Sequence, residues 1–389
     1  MSEPTRLLEF FEVCADSDTP EMAEERNAVR VFLQEARARR LFTPNCDNWL
    51  SGHSPTFSRE LGQRGWIGMT WPAAYGGRDA GPLSRLAVIE ELLAQGAPVA
   101  AHWFADRQVG PSLLKYGTIH QRRFFLPAMA RGELFFCVGM SEPESGSDLG
   151  SVRTRAYRYE DKWHVSGVKI WTSHADKADY ILALVRTGSI DQRPAEALTQ
   201  VLIDMSAPGV SVRPITMLDG QCHFCEVTFD DVSVTDDMVL GTVGDGWKQV
   251  LGELAFERSG PERFLSTFPI VPPLARAMTE SDTRRDAELG ALAARLSVLR
   301  AMSARINQCL NESNLPTVPA AIAKDLGTTL ENDTIDVTRG WIHALDDPQE
   351  RAAMLRMFSE AQAHAPAFTL RGGTSEILRG IVARALGVS

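Results

Sequence analysis

The chain has 389 residues, 44% hydrophobic and 23% charged, which suits two or three folded domains and excludes a disulfide-stapled miniprotein, a collagen-like repeat and extensive disorder. Forty Lys and Arg against fifty Asp and Glu give a formal charge of -10, so the summed field repels polyphosphate chains and anionic lipid and disfavours nucleic-acid binding. The longest apolar runs, such as Tyr180 to Val185 and Leu134 to Val138, fall far short of the ~20 residues that cross a bilayer.

The first residues carry Glu3, Glu9, Glu12, Asp16 and Asp18, the wrong charge for a signal or transit peptide, and a cytoplasmic location is expected. Six cysteines (Cys14, Cys46, Cys137, Cys222, Cys225 and Cys309) are too sparse for a disulfide framework and suit a reducing compartment. Cys222-His223-Phe224-Cys225 has metal-ligand spacing, but no second pair accompanies it and it lies in an alternating strand pattern, so no metal site is expected.

From residue 5 to 130 apolar residues recur at helical spacing, as in Val29, Phe32, Leu33 and Ala36, or Leu86, Ile89, Leu92 and Leu93. Trp71-Pro72-Ala73-Ala74-Tyr75-Gly76-Gly77 interrupts this pattern with an ordered bend. Strand-like runs follow at Trp163 to Val168, Tyr180 to Val185, Val201 to Asp204, Val210 to Pro214 and Glu226 to Phe229. Helical patterns return at Trp247 to Phe264, Ala287 to Leu310, Pro319 to Ile342, Asp347 to Ala363 and Ser375 to Leu386. Helices, then strands, then helices predict an α+β chain with a β domain between helical domains, divided at 1–130, 131–240 and 241–389. No dinucleotide-binding fingerprint and no internal repeat is found by inspection.

Two stretches carry chemistry. Met140-Ser141-Glu142-Pro143-Glu144-Ser145-Gly146-Ser147-Asp148 is a hydroxyl- and glycine-rich turn in which Gly146 permits close approach and Ser141 and Ser147 can donate to carbonyl or phosphate oxygens. Taken alone it also reads as an ordinary β-turn. Gly167-Val168-Lys169-Ile170-Trp171-Thr172-Ser173 sets a broad aromatic face beside two hydroxyls at a strand end, which suits a planar cofactor and equally a core tryptophan.

With the C-terminal Gly372-Gly373-Thr374-Ser375-Glu376-Ile377, these stretches resemble the acyl-CoA dehydrogenase family of flavoproteins. Trp71-Pro72 with Tyr75-Gly76-Gly77, Gly117-Thr118, Leu126-Pro127 with Gly132-Glu133, and Phe229-Asp230-Asp231-Val232 with Gly244-Asp245-Gly246-Trp247 extend the resemblance over nearly the whole chain. The resemblance implies an acyl-CoA dehydrogenase-like fold, with an N-terminal helical domain, a β-barrel-like middle domain and a C-terminal four-helix bundle. It also implies FAD as cofactor, oxidation of an acyl-CoA thioester to the trans-2-enoyl-CoA, and electron-transfer flavoprotein as the acceptor. Val138, Gly139, Met140, Ser141, Gly146 and Ser147 would then surround the isoalloxazine and the CoA arm, with Ser147 also a substrate contact. Trp171, Thr172 and Ser173 would lie along the flavin, and Thr374 and Glu376 would touch FAD, although many relatives carry Gln at the latter position.

Many relatives carry the catalytic base as a Glu immediately before the C-terminal Gly-Thr pair, where this chain has Gly372. A second lineage, including the isovaleryl and long-chain enzymes, carries it on the first helix of the C-terminal domain, followed by Arg; Phe256-Glu257-Arg258 stands there. Glu257 is the candidate base, and Arg258 resembles the substrate-contacting arginine that offsets CoA phosphate charge. Pro261 lacks the amide that would bond the carbonyl of residue 257, so the helix should open there. Glu253 and Glu262 compete for the role, Glu262 being spaced to pair with Arg258 at i,i+4. Gly372 in place of Glu would free volume for a branched or bulky chain, sterol side chains included.

The family's Arg-x-x-Phe-Gly and Gln-x-x-Gly-Gly stretches, which reach a neighbouring subunit's FAD in homotetramers, are not found. Ile270 to Arg276 with the charged stretch Glu280 to Asp286, and Val337-Thr338-Arg339-Gly340-Trp341, occupy those regions. The expected assembly is either a heterotetramer whose paralogous chain completes the adenine side, or a homo-oligomer using other residues. A catalytically silent subunit and an oxidase or flavin monooxygenase on the same scaffold are the alternative functions.

Overall fold

The computed structural model describes residues 18–277, 282–309 and 316–388, without the side chains of 254–256. Cys14, the acidic residues Glu3 to Asp16, Leu310, Glu280 and the side chain of Phe256 lie outside the described residues. In chain order the first helices are α1 (Pro20–Ala38), α2 (Pro55–Gln63), α3 (Pro82–Ala94), α4 (Ala100–Phe104), α5 (Gly110–Tyr116) and α6 (Ile119–Ala130). Strands β1 (Phe136–Gly139), β2 (Arg155–Tyr159), β3 (Lys162–Ser173), β4 (Tyr180–Arg186), β5 (Leu198–Asp204), β6 (Val210–Ile215) and β7 (Phe224–Thr235) follow. Helices α7 (Gly246–Ser259), α8 (Val271–Ala277), α9 (Thr283–Cys309), α10 (Thr317–His343), α11 (Pro348–Phe368) and α12 (Ser375–Ala385) complete the chain.

Two compact units form, and neither is continuous in sequence. One comprises residues up to 52, 81–98 and 255–389; the other comprises 53–80 and 99–254. In the second unit seven strands make one curled, mainly antiparallel sheet in the order β1-β4-β2-β3-β7-β6, with β5 on β4. Alternating burial along β3 and β7 drives its inner face, where Val165, Val227, Phe229 and Val232 form a core with Ile181 and Val201. β1 and β2 escape the sequence reading because β1 is only four residues and β2, Arg-Ala-Tyr-Arg-Tyr, buries a single side chain. Thr118 and Gln121 close a reciprocal capping box on α6, and the Gln121 side chain also donates to the carbonyls of Asp237 and Val239.

In the first unit the predicted faces of α1 and α3 are buried as spaced, and Arg26 of α1 joins the carboxylates of Glu90 and Glu91 on α3. α10 lies against α9, α11 and α12. Its Gly327 sits so close to the Arg263 carbonyl that a Cβ would overlap that carbonyl oxygen, whereas Gly340 faces open space among the described residues. Gly340→Ala is therefore expected to raise stability by about 0.5–1 kcal/mol, and Gly327→Ala to lower it by about 1–3 kcal/mol. Paired denaturant titrations check both, and a neutral Gly327→Ala would contradict the packing.

Candidate functional site

The second unit brings the two predicted stretches side by side. β1 ends at Gly139, where a Cβ would press on Ile181 and the Lys169 stem, and the following turn receives the Ile170 amide on the Ser141 carbonyl at 2.9 Å. Beneath the turn the buried Glu142 carboxylate accepts from the amides of Arg153 (2.7 Å) and Thr154 (2.9 Å) and from Lys169 Nζ (2.8 Å). Lys169 also donates to the Met140 carbonyl at 3.2 Å. Burial lowers the Lys169 pKa to about 8 against the pull of Glu142; burial likewise opposes the charge of Glu142, but Lys169 and the hydrogen bonds hold it below the ordinary carboxylate range. This clamp went unrecognised in the sequence. Its signal was a lysine on the inner face of an alternating strand, which requires a buried carboxylate partner.

A register shift between Lys169 and Thr172 in the β3–β7 pairing marks a bulge. It puts Trp171 at φ +60°, turning its ring outward, 52% exposed and edge-on to Phe224 at 6.0 Å. Thr172 and Ser173 are buried beside it, and among the described residues Thr172 Oγ1 has no hydrogen-bond partner. Val138 and Met140 are half-buried, while Gly146 and Ser147 are exposed on a turn whose backbone is pinned by reciprocal Glu142–Ser145 bonds of 2.7 and 3.1 Å. An exposed indole, a buried hydroxyl with no partner among the described residues and a glycine at the close approach of β1 fit a flavin ring.

Glu253 is committed within the same unit: Ser112 Oγ donates to its Oε1 at 2.8 Å and Gln200 Nε2 at 3.0 Å.

In the first unit α7 ends at Ser259, five residues before the expected Phe264, because Gly260-Pro261 cannot continue it and a 3-10 turn, Pro261–Arg263, follows. The turn takes Glu262 off the helix, so the expected i,i+4 spacing to Arg258 does not exist. Glu262 is fully buried, with Oε1 3.9 Å from Arg263 Nε. The half-buried Glu257 is held by a residue the sequence reading passed over: Arg263 Nη2 donates to its Oε1 and Arg263 Nε to its main-chain carbonyl, both at 2.8 Å. Arg258 is buried, which lowers its pKa, and its Nε donates to the Gly372 carbonyl at 3.1 Å.

Gly372 and Gly373 adopt φ +70° and +98°. A Cβ at 372 would lie 3.0 Å from Arg263 Cζ and one at 373 would lie 3.2 Å from Arg258 Nη2. The absent side chain at 372 thus makes room for a guanidinium, which corrects the expectation of free acyl volume there. Thr374 caps α12, its Oγ1 accepting from the Ile377 amide at 3.3 Å, and Glu376 is exposed in the first turn. Where a glycine pair was sought, α10 runs unbroken through Val337–Trp341, and Trp341 Nε1 donates to Glu288 at 2.9 Å.

The sequence profile of the acyl-CoA dehydrogenase N-terminal domain matches residues 19–133, and that of the middle domain matches 137–232. Acyl-CoA dehydrogenase FadE29 of Mycobacterium tuberculosis is 30% identical over 353 residues, 85% of this chain and 88% of that protein. The chain belongs to the acyl-CoA dehydrogenase family. IpdE1 of the same organism, also named an acyl-CoA dehydrogenase, is 38% identical over 202 residues, and the match spans 52% of each chain. Among solved structures, the Tcur3481-Tcur3483 steroid ACAD superposes with a TM-score of 0.84 at 25% identity, covering 96% of this chain and 99% of that one. The ChsE4-ChsE5 complex from Mycobacterium tuberculosis superposes with a TM-score of 0.78 at 28% identity, covering 96% and 99%. The α+β layout of a helical N-terminal domain, a curled middle sheet and a helical C-terminal region is therefore that of the family. Among the described residues no helix is long and apolar enough to cross a membrane.

Proposed function

We propose that this chain is the base-bearing subunit of an FAD-dependent acyl-CoA dehydrogenase that converts a bulky acyl-CoA thioester to its trans-2-enoyl-CoA. One observation carries the reading: Glu257, at the lineage's base position, is half-buried at the end of α7 and gripped through both its carboxylate and its carbonyl. A carboxylate so placed suits removal of a weakly acidic α-proton, in which the Cα–H bond breaks and the proton passes to a Glu257 oxygen. FAD, when bound, supplies the acceptor for the β-hydride. Trp171 would offer its ring to the cofactor, Thr172 and Ser173 would hold polar edge atoms of it, and Thr374 and Glu376 would meet it from the start of α12. Val138 to Ser141 with Gly146 and Ser147 would line the flavin and the CoA arm, and Arg258 would offset substrate charge. The domain division at 1–130, 131–240 and 241–389 belongs to this reading.

A steroid-like substrate is supported by the likeness, over nearly the full length, to the Tcur3481-Tcur3483 steroid ACAD. The test is a panel of straight, branched and steroid side-chain CoA esters with an artificial electron acceptor, and preferential turnover of straight short chains would overturn the bulky-substrate reading.

A paralogous partner would complete the adenine side of the cofactor. Support comes from the unbroken α10 and from the two superposed structures, Tcur3481-Tcur3483 and ChsE4-ChsE5, each named for a pair of chains. Expressed alone, the chain is expected to retain little flavin, and with its paralogue about one flavin per pair of chains. Full occupancy of the lone chain, read from its absorbance spectrum, would exclude that assembly. Electron-transfer flavoprotein is the proposed acceptor, against rapid dioxygen consumption for an oxidase.

A further inference from the structure

The geometry points to Arg263 as the positioning residue of Glu257: it fixes the direction of the carboxylate before substrate enters. This rests on Glu257 being the base. One guanidinium grips one residue twice, Nη2 on the carboxylate and Nε on the carbonyl, each at 2.8 Å. The second bond exists because Pro261 offers that carbonyl no amide, so the helix break supplies both the freed acceptor and the turn from which Arg263 reaches back. A side chain tied to its own backbone through a shared rigid fork loses rotamer freedom that a lone ion pair would leave it.

Arg263 is itself held on several sides. It is 4% exposed, with its Cζ 5.3 Å from the Trp49 ring centroid. The Trp49 Nε1 donates to Ser266 Oγ at 3.0 Å, and Arg371 lies 4.8 Å from the same ring centroid. Gly372 leaves room for the guanidinium and Gly327 leaves room for the Arg263 carbonyl. Among the described residues Arg263 Nη1 is buried without an acceptor. Gly372 and an indole thus shape a berth for this guanidinium, and Gly327 leaves space for the main chain that carries it.

Charged groups around the pair come from several elements. Arg258 precedes the turn and Glu262 lies within it. Lys324 comes from α10 and donates to the Phe368 carbonyl at 2.8 Å. Glu331, also on α10, accepts from the Ser266 amide at 3.0 Å, and Arg371 is paired with Asp47 at 2.8 Å. Among the described residues Arg263 is the cation in hydrogen-bond contact with the Glu257 carboxylate.

The test uses the flavin-loaded protein, with its partner where loading requires one. Arg263→Gln removes charge and fork together. It is expected to lower kcat about a hundredfold through misplacement of the carboxylate while leaving KM for the thioester little changed. Arg263→Lys keeps the charge without the double grip, so its kcat should fall as well. A reading independent of turnover is the infrared carboxylate band of Glu257 in the purified chain, assigned as the band missing from Glu257→Gln; its frequency should move in both Arg263 variants as the grip is lost. An unmoved band in Arg263→Gln, or an Arg263→Lys kcat equal to the parent, would overturn the assignment. Should Arg263→Gln fail to fold, the Arg263→Lys kcat decides. Full turnover by Glu257→Gln would instead overturn the base itself, a result the infrared band does not depend on.

Discussion

Glu257→Gln is expected to slow oxidation of a CoA thioester by about a hundred- to ten-thousand-fold while leaving the chain folded. The amide has nearly the size of the carboxylate and its oxygen can still accept from Arg263 Nη2, so the grip at 2.8 Å survives in form. It cannot take a proton, however, and the loss falls on the step in which the α C–H bond breaks. Rapid-mixing measurement of flavin bleaching by a thioester checks this, beside a denaturation curve showing that the fold persists. Glu253→Gln provides the contrast. Its carboxylate accepts from Ser112 and Gln200 inside the other unit, so a change there should appear in stability more than in proton removal. A Glu257→Gln protein that bleaches at the parental rate would place the base elsewhere.

The second large effect concerns Asp47, which is 1% exposed and adopts φ +53° in the chain preceding Trp49. Its Oδ2 accepts from Arg371 Nη1 at 2.8 Å and from His364 Nδ1 at 3.0 Å, while its amide donates to the Ser266 carbonyl at 2.7 Å. Burial alone would favour the neutral acid; Arg371 and His364 outweigh it and hold the pKa far below the ordinary carboxylate value. Asp47→Asn strands the Arg371 charge in the interior and is expected to cost about 3–5 kcal/mol. Because the folded-state pKa is depressed, the pair's stabilisation is fully present above the unfolded value of about 4 and is lost as pH falls below it. The parent should therefore lose stability between neutral pH and acid more steeply than Asp47→Asn, the two curves converging at low pH. Urea titrations across that range check the sign, and parallel curves would contradict the assignment. Since Arg371 and Arg263 flank the same Trp49 ring, loss of Asp47 should also loosen the support of the candidate base.

Glu331 lies near this cluster with its pKa pushed up to about 7 by burial, and burial brings Lys324 down to about 7 as well. Neutral forms of both are thus accessible near neutral pH, which eases the packing of so many ionisable groups around one indole.

Periodicity alone identified the buried faces of α1 and α3, the strands β3 to β7 and the helices of the C-terminal region other than the short α8, because each depends on residues within a few positions of one another. The break at Pro261 was equally legible, since a missing amide is a local fact. Glu257 entered through motif resemblance, as did the residues offered for the flavin. Folding decided which of these stretches meet: Ser141 reaches Ile170 through a main-chain bond, and Glu142 reaches Lys169 across 27 positions. It also decided that Gly372 shelters Arg263 instead of opening a cavity, and that Asp47 answers Arg371 from 324 positions away. Local spacing and turn chemistry are written along the chain, but the partner of a buried charge is chosen by three-dimensional proximity, and one dimension carries no record of that choice.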